Sequence, residues 1–222
     1  MAKNKLKRFS ELNDFSNVFQ PKKKDFDSGF YLKEKWKKEY FRNNNPITLE
    51  LGCGKGEYTT GLAEKHPEKN FIGIDIKGSR IWVGCKYSIE KKLKNVVFIR
   101  TQIENLEFFF KENEISEIWI TFPDPYLSSG KAKKRLTSSR FLNIYKNIID
   151  DNCIINLKTD NFVLYNYTLE IINNEKHKLL FATDDLYGSN IENSAKSIQT
   201  YYERIHLKNN LKIYFIQFSL KI

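Results

Sequence analysis

The sequence predicts an α/β fold: a mostly parallel sheet with helices on both faces. Two observations carry that expectation. From residue 46 onward, short apolar runs rich in Ile, Val and Phe alternate with longer amphipathic stretches, the pattern of successive βα units. The alternation then ends in two apolar runs, 178–182 and 211–218, with no helix evident between them. Such a pair closes a sheet in antiparallel fashion.

The elements follow in order. Pro46, after three asparagines, breaks the chain ahead of the first strand. Strands are expected at 47–51, 71–74, 96–99, 115–120 and 153–157. Helices are expected at 57–65, 79–93, 103–110, 137–149 and 161–172. With the two tail strands this makes seven strands in one domain, residues 46–222. Ahead of it, residues 1–45 form a Lys-rich extension. The pattern F-Y-L-x-x-x-W-x-x-x-Y-F over 30–41 has helical spacing and predicts a short docked helix. Residues 1–29 are polar and weakly periodic, which predicts a segment that is mobile or orders on a partner.

The chain of 222 residues carries a formal charge of +10. Residues 1–45 hold 12 Lys and Arg against 6 Asp and Glu, and 131–140 adds five cations with no acid. A basic excess concentrated in this way points to nucleic acid. No apolar run approaches the roughly 18 residues of a membrane span. The basic start, MAKNKLKRFS, lacks the apolar core of a secretory signal, so a cytoplasmic home is expected. Cys53, Cys85 and Cys153 are far apart, and His66, His177 and His206 are isolated. Neither a disulfide framework nor a metal site is expected.

In an open parallel sheet, ligands bind beyond the carboxyl ends of the strands. The first strand ends in LELGCGKGEY, with Gly52, Gly54 and Gly56 spaced as GxGxG. Glycines permit a tight turn and close approach of a ligand. Glu50 and Glu57 would repel a phosphate, so a cationic or phosphate-free nucleoside such as S-adenosylmethionine fits better. The second strand ends in FIGID, where Asp75 can accept hydrogen bonds from ribose hydroxyls. Thr101 and Gln102 follow the third strand, where an adenine would lie. The fourth runs into TFPDPYLSSGKAKKRL: Pro123 and Pro125 cannot continue a ladder and would hold Asp124 stiffly at the strand end, as a catalytic or base-contacting carboxylate. After the fifth strand, NLKTDN places Asp160 at the neighbouring mouth, or at the N-cap of the next helix.

In order and spacing, LELGCGKGEY, FIGID, TFPDPY, KKRLTSSRFL, LKTDN and TYYE resemble the bacterial tRNA (guanine-N7-)-methyltransferase family over about residues 47–219. The resemblance implies a Rossmann-like seven-stranded class I methyltransferase sheet, S-adenosyl-L-methionine as donor and a guanine of the tRNA variable loop (guanine-46) as acceptor. Carried over by position, Glu50, Gly52, Gly54, Gly56, Asp75, Gln102 and Asp124 would bind the donor, with Asp124 also catalytic. Ser128, Asp160, Thr200, Tyr201, Tyr202 and Glu203 would face the guanosine, on which Tyr126 could stack. Lys131, Lys133, Lys134 and Arg135 would hold the RNA backbone. The family usually follows the aspartate with Trp-Pro-Lys-Lys-Arg-His, so Ser128 stands where a lysine is expected. A monomer or homodimer is expected. The competing expectations are an amino-methyltransferase with an Asp-Pro-Pro-Tyr turn, or a non-catalytic tRNA-binding subunit.

Overall fold

The computed structural model describes residues 2–22, 25–26 and 29–221, with side chains from residue 5 onward. Eight strands form one sheet. They are β1 (Val18–Phe19), β2 (Ile47–Leu51), β3 (Asn70–Asp75), β4 (Val96–Arg100), β5 (Ile115–Thr121), β6 (Ile149–Thr159), β7 (Lys178–Thr183) and β8 (Tyr214–Ser219). Their spatial order is β1-β4-β3-β2-β5-β6-β8-β7. The pairs from β1 to β6 are parallel, and β8 runs antiparallel to both β6 and β7. After β1 at the edge, the chain moves to β2, builds outward through β3 to β4 beside β1, then crosses back to β5 on the other side of β2. The crevice between the carboxyl ends of β2 and β5 is therefore the topological switch point, where open α/β sheets bind ligands.

Every residue of β2 is buried, as expected for a parallel strand covered on both faces. Helices α2 (Glu57–Lys65) and α3 (Gly78–Glu90) cover one face around Tyr58, Leu62, Ile81 and Phe98. The other face carries α4 (Leu106–Phe109), α5 (Ser139–Lys146) and α6 (Phe162–Asn174), with a core that includes Phe109, Leu142 and Leu164. Trp36 is fully buried there, donating through Nε1 to Phe109 O at 3.0 Å and stacking on Phe110.

All seven expected strands are present, with three differences around them. First, what is described of residues 1–29 is docked on the domain; residues 1, 23–24 and 27–28 lie outside the described set. Helix α1 (Ala2–Glu11) packs on α3, where Arg8 donates to Ser79 O at 3.3 Å and Trp82 Nε1 donates to Glu11 at 2.7 Å. Leu12 is only 1% exposed. Phe98 N donates to Asn17 O, and Val18 and Phe19 add an eighth strand at the sheet edge. Leu6, Phe9, Leu12, Phe15 and Val18 recur at intervals of three with polar residues between them, a period that fits neither a regular helix nor a strand. Second, two helices lie between the tail strands: α7 (Ser194–Ser197) and α8 (Tyr201–Lys208). Third, the helix expected over 30–41 is a π-helical turn at Trp36–Phe41, and the one over 103–110 is a 3₁₀ turn followed by the single-turn α4.

If the N-terminal segment belongs to the core, Leu12→Ala should cost about 2–5 kcal/mol. Urea unfolding would measure it, and an unchanged midpoint would mean that the segment adds nothing to the fold.

Candidate active site

The glycine turn leaves β2 with Gly52, Gly54 and Gly56 at φ of 74°, 55° and 70°. Gly52 N and Cys53 N both donate to Ile74 O, at 2.8 and 3.0 Å. Asp75 ties the turn to α3: Oδ2 accepts from Gly54 N at 2.9 Å and Oδ1 from Lys77 N at 2.7 Å. Each oxygen keeps a lone pair for a ligand. A Cβ on Gly52 or Gly54 would meet nothing nearer than 4.0 Å, so these two leave open space for a ligand. Gly56 serves a different end. A Cβ there would lie 2.7 Å from the Phe98 ring, which also fills the space left by Gly73 and Gly84. The close approach expected of a donor at Gly56 is made by Phe98 instead.

Beyond the turn opens a cleft lined by Glu50, Gly52, Gly54, Thr121, Thr200 and Tyr202 among others. Glu50 lies at its base, buried across the switch point. It accepts from Thr59 N at 2.8 Å, from the Thr59 hydroxyl, and from Thr121 Oγ1 at 2.7 Å. Burial raises its carboxyl to about 7 from the ordinary 4.5, against the lowering effect of these donors. A cation in the cleft would favour the ionised form. The donor set fits S-adenosylmethionine: glycines with open space, an acid beside them for a ribose, and a buried acid for positive charge. Gln102 lies apart from this cleft, exposed in a neighbouring depression with Thr101.

The turn after β5 is rigid. Phe122 lines the cleft, and Phe122 and Tyr126 take φ of 48° and 41°, the left-handed region, on either side of Pro123, Asp124 and Pro125. Asp124 stands exposed. Arg135 fastens the turn from beneath: Nε donates to Pro125 O and a terminal nitrogen to Tyr126 O, both at 3.0 Å, while the guanidinium stacks on Tyr167. Arg135 is buried, which corrects its expected role at the RNA backbone, because no phosphate can reach it. Lys131, Lys133 and Lys134 are exposed on a 3₁₀ turn that begins after exposed Ser128.

The far side of the cleft hangs from a buried ion pair. Lys158 and Glu203 are both fully buried, with Nζ 2.6 Å from Oε1. Lys158 also donates to Ala195 O and to Ile198 O, the latter at 3.0 Å, and Tyr187 OH donates to Glu203 at 2.7 Å. Burial lowers Lys158 to about 8, with Glu203 pulling the other way. Glu203 is thus anchored in the core, which corrects its expected place against a guanosine. It also completes a capping box: Thr200 Oγ1 accepts from Glu203 N while Glu203 accepts from Thr200 N. That box starts α8 and brings Thr200 and Tyr202 to the cleft. Tyr201 is exposed, its N–H donating to Glu57 and its ring under Lys55. Asp160 is exposed and pairs with His206 Nε2 at 3.2 Å, while Asn161 caps α6. Lys158 was missed in the sequence because it directly follows the expected strand 153–157, whereas β6 runs on through Thr159 and carries the lysine into the core, where it needs a partner.

A family model described as "Putative methyltransferase" matches residues 44–216. The fold resembles the crystal structure of the 16S rRNA methyltransferase KamB with a TM-score of 0.63 at 12% identity, covering 85% of this chain and 92% of that one. Fold and family model together define a class I methyltransferase. The chain is 50% identical over 222 residues to the tRNA (guanine-N(7)-)-methyltransferase of Christiangramia forsetii, covering 99% of both. It is 46% identical over 221 residues to that of Cytophaga hutchinsonii, covering 99% of this chain and 98% of the other. It belongs to the tRNA (guanine-N7-)-methyltransferase family.

Two outcomes follow from the buried charges. Glu50 has a folded-state value above its unfolded one, so the stability it contributes is present below about 4.5 and lost as the pH rises through about 7. That interval is worth about 3 kcal/mol, and Glu50→Gln should flatten it; parallel pH profiles of urea midpoints for both proteins would contradict this. Lys158→Met should cost about 3–5 kcal/mol by stranding Glu203, and Lys158→Met/Glu203→Gln should recover part of that. A double variant no more stable than the single one would argue against the pairing.

Proposed function

We propose that the protein transfers the methyl group of S-adenosyl-L-methionine to N7 of a tRNA guanine, at guanine-46 of the variable loop. The observation that carries the site assignment is the locked turn over 122–126, which presents Asp124 two residues beyond a wall of the donor cleft. When bound, S-adenosylmethionine supplies an electrophilic methyl on a sulfonium. Guanine N7 has a free lone pair, so an N–C bond forms as the S–C bond breaks, its electrons return to sulfur, and no base is needed.

The protein's contribution is alignment, which can supply roughly 7–11 kcal/mol, and charge. The guanine ring gains positive charge as it is methylated, and an exposed carboxylate at the mouth stabilises it. Asp124 has that role, and Asp160, just beyond the neighbouring strand β6 and paired with His206, is the second candidate. Thr200 and Tyr202 supply the wall facing the guanine, which must leave its stack to enter. Lys131, Lys133 and Lys134 hold the phosphates of a tRNA much larger than the cleft. Ser128 precedes that turn where the family has a lysine, and these three exposed lysines take over its charge.

The test is methyl transfer to unmodified tRNA, with the product nucleoside resolved by mass spectrometry and its position mapped. N7-methylguanosine at one variable-loop site is expected. Asp124→Ala should reduce kcat at least about 100-fold while S-adenosylmethionine still binds. Full activity in Asp124→Ala would sink the assignment, and a different methylated nucleoside would sink the function.

A further inference from the structure

A second depression, which shares no lining residue with the first cleft, begins one residue beyond Asp75. Its floor and near wall are Ile76, Arg100, Thr101 and Gln102, at the ends of β3 and β4. Its far wall is Asn13, Gln20, Pro21 and Lys22, all from the N-terminal segment. Arg100 clamps the two walls together. Its Nε donates to Ile76 O and one terminal nitrogen donates to Gln20 Oε1, at 3.3 and 3.2 Å, while the guanidinium lies over the Phe9 ring. Gln20 Nε2 in turn donates to Asn13 Oδ1 at 3.3 Å.

This chain of bonds fixes the chemistry of the slot. With its oxygen engaged by Gln20, Asn13 has its amide nitrogen left to donate, and Gln102 has a whole amide uncommitted among the described residues. Ile76 is 51% exposed directly after Asp75. One exposed isoleucine is ordinary. This one lines a depression together with three amides and directly follows Asp75, the acid proposed for a ribose. A purine needs that combination: apolar contact for its faces, and donors and acceptors for its edge.

We infer that the N-terminal segment is the second wall of the donor's nucleoside end. Asn13 and Gln20 join Gln102 in hydrogen-bonding the adenine edge, and Pro21 joins Ile76 as apolar contact. The inference rests on the proposed use of S-adenosylmethionine. It gives the docking of residues 2–22 a role in binding as well as in stability, and it makes donor affinity depend on a segment outside the methyltransferase domain proper.

The experiment is titration calorimetry of S-adenosylhomocysteine against the full-length protein and an Asn13→Ala/Gln20→Ala variant. Asn13 is exposed and Gln20 only half-buried, so the unfolding temperature should hold. Loss of the two contacts should raise Kd roughly tenfold, with binding of tRNA alone unchanged. An unchanged Kd with weakened tRNA binding would give the slot to RNA, and no change in either would reduce it to packing; both overturn the inference. Failure of the proposed function looks different: wild-type protein would bind S-adenosylhomocysteine yet form no N7-methylguanosine.

Discussion

The carboxylate of Glu50 joins three elements at the point where the sheet reverses its strand order, and the cleft proposed for the donor is built around it. It sits on β2, takes two hydrogen bonds from Thr59 on α2 and a third from Thr121 at the end of β5. Those bonds set how α2 leaves the glycine turn and how β5 enters the Asp124 turn. A carboxylate buried without a cation is costly, and three donors offset only part of that cost. The group therefore titrates near neutrality, and a positively charged ligand in the cleft would complete it.

The side proposed for the acceptor follows a different logic. Lys158 and Arg135 are cations turned inward, each used to hold a segment in place. Lys158 gathers the carbonyls of Ala195 and Ile198 with Glu203, and so places Thr200 and Tyr202. Arg135 gathers the carbonyls of Pro125 and Tyr126, and so presents Asp124. Buried pairs of this kind add little net stability, but breaking them is expensive. They suit a site whose exposed groups must meet a large substrate at a fixed position.

Much of this was legible in the sequence. The βα alternation marked the parallel strands, because buried strands and amphipathic helices differ in both length and period. The glycine turn, Asp75 and the prolines around Asp124 could be placed because strand ends are where such folds bind ligands. What failed was the direction of charged side chains. Arg135 follows Lys131, Lys133 and Lys134 in one basic run, yet it alone points inward; composition cannot distinguish a phosphate contact from a carbonyl clamp. Glu203 looked like a substrate contact until its partner, 45 positions earlier in the chain, was visible. The T-Y-Y-E run is the capping box that starts α8, but it was read as a substrate contact and no helix was expected there. The N-terminal segment was misjudged because apolar residues at intervals of three match neither the helical nor the strand period.

The most direct measurement is calorimetric titration of S-adenosylmethionine at pH 7 in buffers of different ionisation heat, for wild-type and Glu50→Gln proteins. With Glu50 near half-protonated, a cationic donor beside it should release roughly half a proton on binding, and the release should vanish in Glu50→Gln. Binding heats independent of buffer in the wild type, or the same proton release in both proteins, would contradict a donor site organised around this carboxylate.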